Sequence, residues 1–253
     1  MGCSRLRFSD KWADAVRKKN SLLCVGLDPE DRDDKIQWCK DIITQVAPYA
    51  AAVKINRNYV KDLSRGELQT LTGIIHQYGM LAIDDSKLTD IGSTNEKGFH
   101  HPHVEGFDAV TYAPFPGNVS EAVGQAHARD LGIIVLVLMS NPEYEVMKNA
   151  QINGKPAYMY FAEQSRDADA IVIGAPSTKN HLTLDEIKAV KSIIPDRCVL
   201  VPGIGAQGGE AKSLIDLFGD KTIINVGRAI IYANNPADEA RKYRDMLNEM
   251  RKT

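Results

Sequence analysis

Asp85, Lys87 and Asp90 stand as a D-x-K-x-x-D array in the run Ile83-Asp84-Asp85-Ser86-Lys87-Leu88-Thr89-Asp90. If this run enters as a β-strand, the alternation of side chains puts Asp85 and Lys87 on one face and Asp84 and Ser86 on the other. A carboxylate beside an amine favours its ammonium form, so that face would carry a fixed cation able to meet negative charge. Asp90 lies beyond the strand, in a loop, and spacing alone leaves its reach back to Lys87 open. Two further apolar runs also end in charge, Val25-Gly26-Leu27-Asp28 and Val53-Lys54-Ile55-Asn56. A second chemistry is written at Val201-Pro202-Gly203-Ile204-Gly205-Ala206-Gln207-Gly208-Gly209 and at Asn225-Val226-Gly227-Arg228. Glycines let backbone N–H groups approach an anion, and a following helix N-terminus adds a favourable dipole. Arg228 supplies a planar, two-pronged donor suited to phosphate oxygens. Taken alone, the first spacing also fits a solvated turn with two incidental salt bridges. The second also fits an ordinary glycine-rich turn beside a surface arginine.

The elements that would position these groups discriminate between the readings. Short apolar, β-branched runs recur at Leu22-Val25, Ala52-Ile55, Leu81-Ile83, Ala109-Tyr112, Ile133-Met139, Ala170-Ile173, Val199-Val201 and Ile223-Val226. Helical periodicity lies between them, as at Ile36 to Val46, Leu68 to Gln77, Leu184 to Ile194, Ala211 to Phe218 and Pro236 to Met250. Near-continuously apolar strands alternating with helices imply a parallel sheet covered on its outside. Eight such units in 253 residues match a closed α/β barrel, the (β/α)8 or TIM barrel. An open doubly wound sheet would show fewer strands and a glycine-rich turn after the first. Phe8 to Lys19 reads as an extra helix closing the barrel bottom. In such barrels catalytic groups sit where strands finish, and phosphates bind in the loops after strands seven and eight. The charged ends and the glycine-rich segment fall at those places, so a phosphorylated small molecule is implied.

With 43% hydrophobic and 25% charged residues, the chain fits a globular fold with a sizeable core. No linker or low-complexity tract divides it, so residues 1–253 are read as one domain. A net charge of −2 without a long basic run gives no footprint for nucleic acid or a membrane surface. Cys3, Cys24, Cys39 and Cys198 are widely spaced, which points to reduced thiols in a cytoplasmic protein rather than a zinc site or disulfide framework. The longest apolar run, Ile133 to Met139, is too short to span a bilayer. Cys24 and Cys198 read as core residues, and Trp12 and Trp38 as helix packing. His100-His101-Pro102-His103, in a helix-to-loop region, reads as a solvated patch rather than a metal cluster.

Together, Asp28, Lys54, Asp85-Ser86-Lys87-Leu88-Thr89-Asp90-Ile91-Gly92-Ser93-Thr94, the loop Pro202 to Gly209, and Gly227-Arg228 resemble the ordered motifs of the orotidine 5'-phosphate decarboxylases, from Leu23 to about Ala233. The lysine ending strand two, alongside D-x-K-x-x-D and G-x-G-A-Q-G-G, makes the likeness specific. Related barrels acting on other phosphosugars share D-x-K-x-x-D, but they typically lack that lysine and use a metal. The resemblance implies a homodimer that uses neither cofactor nor metal and takes a small-molecule nucleotide as substrate. Lys54, Asp85, Lys87 and Asp90 would form an alternating charged array beside the pyrimidine carboxylate, with Asp90 supplied by the neighbouring subunit. Asp28 and Lys54 would hold ribose hydroxyls, assisted by Thr94 from the partner. Ser140 would meet the pyrimidine amide, Gln207 would bridge base and phosphate, and Pro202 would pack near the base. Arg228 and the backbone N–H groups around Gly208 and Gly227 would hold the phosphate. The chain departs from the family pattern in two places: Asn141 follows the serine where a histidine is frequent, and Asn141 to Ala157 reads as an extended loop. Two other functions fit the same barrel: a metal-dependent lyase or aldolase acting on a sugar phosphate, and a nucleotide-binding protein without chemistry.

Overall fold

The computed structural model describes residues 6–177, 180–203 and 209–252. Along the chain run α1 (Phe8–Lys19), β1 (Leu23–Leu27), α2 (Lys35–Val46), β2 (Ala52–Asn56), α3 (Arg65–Gln77), β3 (Leu81–Leu88), α4 (Gly92–Val104), β4 (Ala109–Tyr112), α5 (Val119–His127) and β5 (Gly132–Leu138). The chain continues with α6 (Tyr144–Asn149), the short strands β6 (Gln151–Ile152) and β7 (Lys155–Pro156), α7 (Ala157–Gln164), β8 (Ala170–Ile173) and α8 (Leu184–Ile193). It ends with β9 (Cys198–Pro202), α9 (Gly209–Phe218), β10 (Thr222–Val226), α10 (Arg228–Ile231) and α11 (Pro236–Lys252).

Eight strands close into a barrel in the order β1-β10-β9-β8-β5-β4-β3-β2, with every neighbouring pair parallel. Each falls on one of the eight apolar runs of the sequence. The apolar composition has a direct cause. Side chains pointing inward meet the barrel interior and those pointing outward meet helices, so every residue of β1, β4, β5 and β8 is buried. Two helices start on a local signal of their own. Ser64 and Thr183 cap α3 and α8, each exchanging hydrogen bonds with a glutamate three residues on. Among the described residues, no helix is long and apolar enough to cross a membrane.

Helix α1 covers the end of the barrel where strands begin. Phe8 lies against Gly132 at the start of β5, where any side chain would collide with the ring. Trp12, 1% exposed, donates from Nε1 to the Asp220 carbonyl at 2.8 Å. Trp38 instead stacks on Tyr232 with ring centroids 5.5 Å apart. Two aspartates at strand starts stitch neighbouring strands at this same end. Asp108 accepts from Ala82 N–H at 3.0 Å and pairs with His76 at 2.8 Å. Asp169 accepts from Ile133 N–H at 3.0 Å and pairs with His127 at 2.8 Å.

One expectation needs correction. Residues 141–157 are not an extended loop: they form α6 and the antiparallel hairpin β6–β7. The segment is anchored by the buried Lys148, whose ammonium donates to the His181 carbonyl and to Glu186, both at 2.6 Å. The histidine run closes α4, with Pro102 inside the helix and Glu105 as its C-cap, at the helix-to-loop end that the sequence indicates.

Asp84 faces the surrounding layer rather than the barrel interior. It is 1% exposed, with the Arg57 guanidinium 3.4 Å away and Glu105 on the far side of Arg57. Burial pushes its carboxyl from 3.8 up to about 7, against the pull of Arg57. The folded-state value is raised, so the stabilising neutral form is fully present below the unfolded value and is lost as pH rises through about 7. Asp84→Asn removes that titration. The melting temperature of the variant minus that of the parent should therefore climb from about pH 5 to about pH 8, and a flat or falling difference would refute the assignment.

Candidate active site

Where β2 and β3 finish, Asp85 is held between two ammonium groups. Lys54 Nζ donates to Asp85 Oδ2 and Lys87 Nζ donates to Oδ1 at 2.7 Å. The side chains of Lys54 and Asp85 are 7% and 8% exposed, that of Lys87 42%. The ammonium that an incoming molecule meets is therefore the one on Lys87. Burial alone would raise the Asp85 carboxyl, but the Lys54 and Lys87 charges and their hydrogen bonds outweigh it and hold Asp85 below the usual carboxylate range. Burial likewise opposes the charged form of Lys54, and Asp85 more than offsets it, keeping Lys54 above the ordinary lysine value. The pair is mutually dependent: neither charge is tolerable there without the other.

Asp85 and Lys87 do meet, though not through the regular alternation that the spacing suggests. β3 runs on through Leu88, and its register against β4 shifts: Asp84 pairs with Val110 and Leu88 with Tyr112. Three residues of β3 thus oppose the single residue Thr111, a bulge that bends the strand. Lys87 takes φ +49° within it, the left-handed region that L-residues other than asparagine and aspartate rarely adopt. Thr111 Oγ1 accepts from Lys87 N–H at 2.9 Å and donates to Asp85 Oδ1 at 3.0 Å. The sequence reading missed this residue; its signal was a single threonine hydroxyl between the apolar Ala109-Val110 and the aromatic Tyr112.

Asp28 follows β1, next to the strand pair β1–β10. Burial raises its carboxyl pKa, with Lys54 opposing, and its Oδ1 is buried without a hydrogen-bond partner among the described residues. Gly26 keeps this corner open, since a Cβ there would lie 3.2 Å from the Asn225 amide and 3.3 Å from Gly227 Cα. Asn225, also missed, brings a buried Oδ1 with no hydrogen-bond partner among the described residues to this corner. Gly227 precedes the four-residue α10, and Arg228, its first residue, is exposed and electrostatically coupled to Asp28. Pro202 ends β9, half-buried and in register with Asn225. Ser140 follows β5, so close to Gly174 after β8 that a Cβ on Gly174 would come within 2.6 Å of it. Gln207 and Gly208 lie outside the described residues.

Among the described residues, Asp90 makes no ion pair with Lys87. Its carboxylate accepts from Ile91 N–H at 2.8 Å, and its carbonyl is held by Asn95 at 2.6 Å and Asn118 at 3.2 Å. Thr94 is exposed in the first turn of α4. Ile91, next to Asp90 in the chain, is 67% exposed, and Phe115, in the loop after β4, is 81% exposed. The cysteines Cys24, Cys39 and Cys198 are free and buried, and burial pushes each thiol up to about 12. Among the described residues, no three His, Cys, Asp or Glu side chains converge as a metal-binding set.

Fold and site together define a (β/α)8-barrel enzyme whose charged centre sits at the strand ends. The chain belongs to the orotidine 5'-phosphate decarboxylase / HUMPS family, whose model matches residues 21–243. It is 33% identical to the orotidine 5'-phosphate decarboxylase of Ralstonia pickettii (strain 12J), over 97% of this chain and 100% of the relative. Identity to the Dechloromonas aromatica (strain RCB) protein of the same name is also 33%, over 97% of each chain. Among solved structures, the OMP decarboxylase of Leishmania donovani has the same fold, with TM-score 0.82 at 24% identity over 96% of this chain and 99% of that one. The orotidine 5'-monophosphate decarboxylase of Methanocaldococcus jannaschii, complexed with the inhibitor BMP, superposes with TM-score 0.72 at 26% identity, covering 89% and 98%.

Deleting the shared carboxylate exposes how tightly the array is balanced. Asp85→Ala should lower unfolding stability by about 3–5 kcal/mol, the typical cost of stranding a buried charge, as read from urea denaturation near neutral pH. A loss below about 1 kcal/mol would mean that Lys54 finds another counter-charge, Asp28 being the nearest candidate.

Proposed function

We propose that this chain is a carboxy-lyase that converts orotidine 5'-monophosphate to UMP without a cofactor, as in pyrimidine biosynthesis. The observation that carries the reading is the Lys54–Asp85–Lys87 array, with Lys87 as its open end, in a chain of this family. Loss of CO2 from C6 leaves an electron pair in an sp2 orbital that delocalises poorly into the ring, so negative charge is concentrated at one atom. The Lys87 ammonium meets that charge as it develops and then gives C6 its proton. Asp85 and Lys54 keep it in place, and the electron pair of the broken C–C bond ends in the new C–H bond.

The remaining assignments follow the mouth of the barrel. Asp28 and Lys54 hold ribose hydroxyls, a role that suits an Asp28 Oδ1 with no hydrogen-bond partner among the described residues. Ser140 meets the pyrimidine amide, and Pro202 packs near the base. Gln207 bridges base and phosphate. Arg228, with N–H groups around Gly208 and Gly227, holds the phosphate. Phosphate contacts remote from C6 contribute to turnover as well as affinity, because they align the base against the array. The free, buried thiols suit the cytoplasm.

The active unit is a homodimer in which the partner supplies Asp90 and Thr94 to the array. Support comes from the orientation of Asp90, which is occupied within its own loop, and from the exposed apolar side chain of its neighbour Ile91. With Asp90 in place, Lys87 would be flanked by carboxylates on both sides.

Ultraviolet absorbance of orotidine 5'-monophosphate mixed with the protein in EDTA tests the reaction. The parent should produce UMP, and Lys87→Ala should lose at least about a thousandfold in kcat/KM; an inactive but folded parent would remove the proposal, and activity only with added metal would favour a phosphosugar lyase. The dimer has its own test. Lys87→Ala and Asp90→Ala, each inactive alone, should regain about a quarter of parent activity when dissociated and re-paired, since a hybrid dimer contains one intact site. No recovery in verified hybrids would put Asp90 back in its own subunit.

A further inference from the structure

We infer that Thr111 is a positioning residue for the decarboxylation, holding the Lys87 backbone in its left-handed turn and the Asp85 carboxylate in line through a single hydroxyl. The inference rests on the reaction proposed above and goes beyond it, since Thr111 lies on a strand that no part of the charged motif occupies. The hydrogen-bonding capacity of the hydroxyl decides its orientation. Oγ1 accepts from Lys87 N–H at 2.9 Å, so its one proton points to Asp85 Oδ1 at 3.0 Å. That same oxygen of Asp85 receives the Lys87 ammonium at 2.7 Å. Thr111, Lys87 N–H, Lys87 Nζ and Asp85 thus form a closed ring of contacts in which both ends of the lysine are fixed.

Without the ring, little else would hold the lysine there. Its φ of +49° is disfavoured for an L-residue with a long side chain, and its side chain is the exposed member of the array. Thr111 is 1% exposed, so no water can replace its hydroxyl at low cost. The charged groups around Asp85 come from three other places on the rim: Lys54 on β2, Asp28 after β1, and Asp84 behind it on β3. All act on charge, and none of them holds the Lys87 backbone.

Thr111→Val keeps the branched shape but can neither accept nor donate, whereas Thr111→Ser keeps the hydroxyl. The valine variant should lose about tenfold or more in kcat with KM changed less than about threefold, because misplacing a catalytic group costs rate before affinity. The serine variant should stay within about threefold of the parent. Amide hydrogen exchange at Lys87, which needs no turnover, should quicken by at least about tenfold in the valine variant and recover in the serine variant. Unchanged exchange at Lys87, or a serine variant as impaired as the valine one, overturns the inference. A parent that fails to decarboxylate sinks the proposed reaction instead, and the exchange measurement then decides alone whether Thr111 holds Lys87.

Discussion

Asp85 balances two ammonium groups with one carboxylate, and the geometry of the barrel mouth is organised around keeping that arrangement intact. Removing charges from water costs several kcal/mol per ion after relaxation, and only close, well-oriented partners offset it. Side chains on flexible loops would not supply such partners. Here Lys54 and Asp85 come from adjacent parallel strands, with Lys54 opposite Ile83 and Asn56 opposite Asp85. The long lysine stem therefore climbs beside its strand to reach a carboxylate one step nearer the rim. Within one chain Lys54, Asp85 and Lys87 carry one more positive than negative charge, a local excess on a chain whose net charge is −2 that an added Asp90 carboxylate would balance.

The two ends of the barrel handle their buried carboxylates differently. At the end covered by α1, Asp108 and Asp169 each accept a backbone N–H from the neighbouring strand and pair with a histidine. Their valences are filled by the fold. At the opposite end Asp28 Oδ1 and Asn225 Oδ1 are buried without a hydrogen-bond partner among the described residues. Unfilled buried acceptors are costly to folding alone, and their concentration where the strands finish fits a rim built for binding rather than for stability.

Much of this was legible in the sequence because the controlling forces are local. Strands buried on both faces must be apolar throughout, so all eight stood out as β-branched runs, and Lys54, Asp85 and Lys87 stood out as charges at the ends of two of them. What escaped was tertiary. Thr111 earns its partners only through the register of β4 against β3, which no single segment encodes. Residues 141–157 carry weak local periodicity, and their order depends on the Lys148 ammonium reaching His181 and Glu186 more than thirty positions away. Asn225 matters only because Gly26, on the next strand, has no side chain.

The D-x-K-x-x-D spacing led to the correct contact by an incomplete route. A regular strand would carry Lys87 about 6.6 Å past Asp85 along the strand axis, with both side chains on one face but the ammonium displaced toward solvent. The bulge instead shortens the path, so that residues 85–87 all face the single residue Thr111. The left-handed turn at Lys87 costs on the order of 1–2 kcal/mol, and the ion pair to Asp85 and the bond to Thr111 offset it. Strain is thereby placed on the one residue whose location matters most to the chemistry, held by a neighbour outside the motif. A chain could keep every charge of the motif and still lose the site if β3 ran straight. The motif states which groups are needed; the bulge and its threonine determine where the ammonium lies.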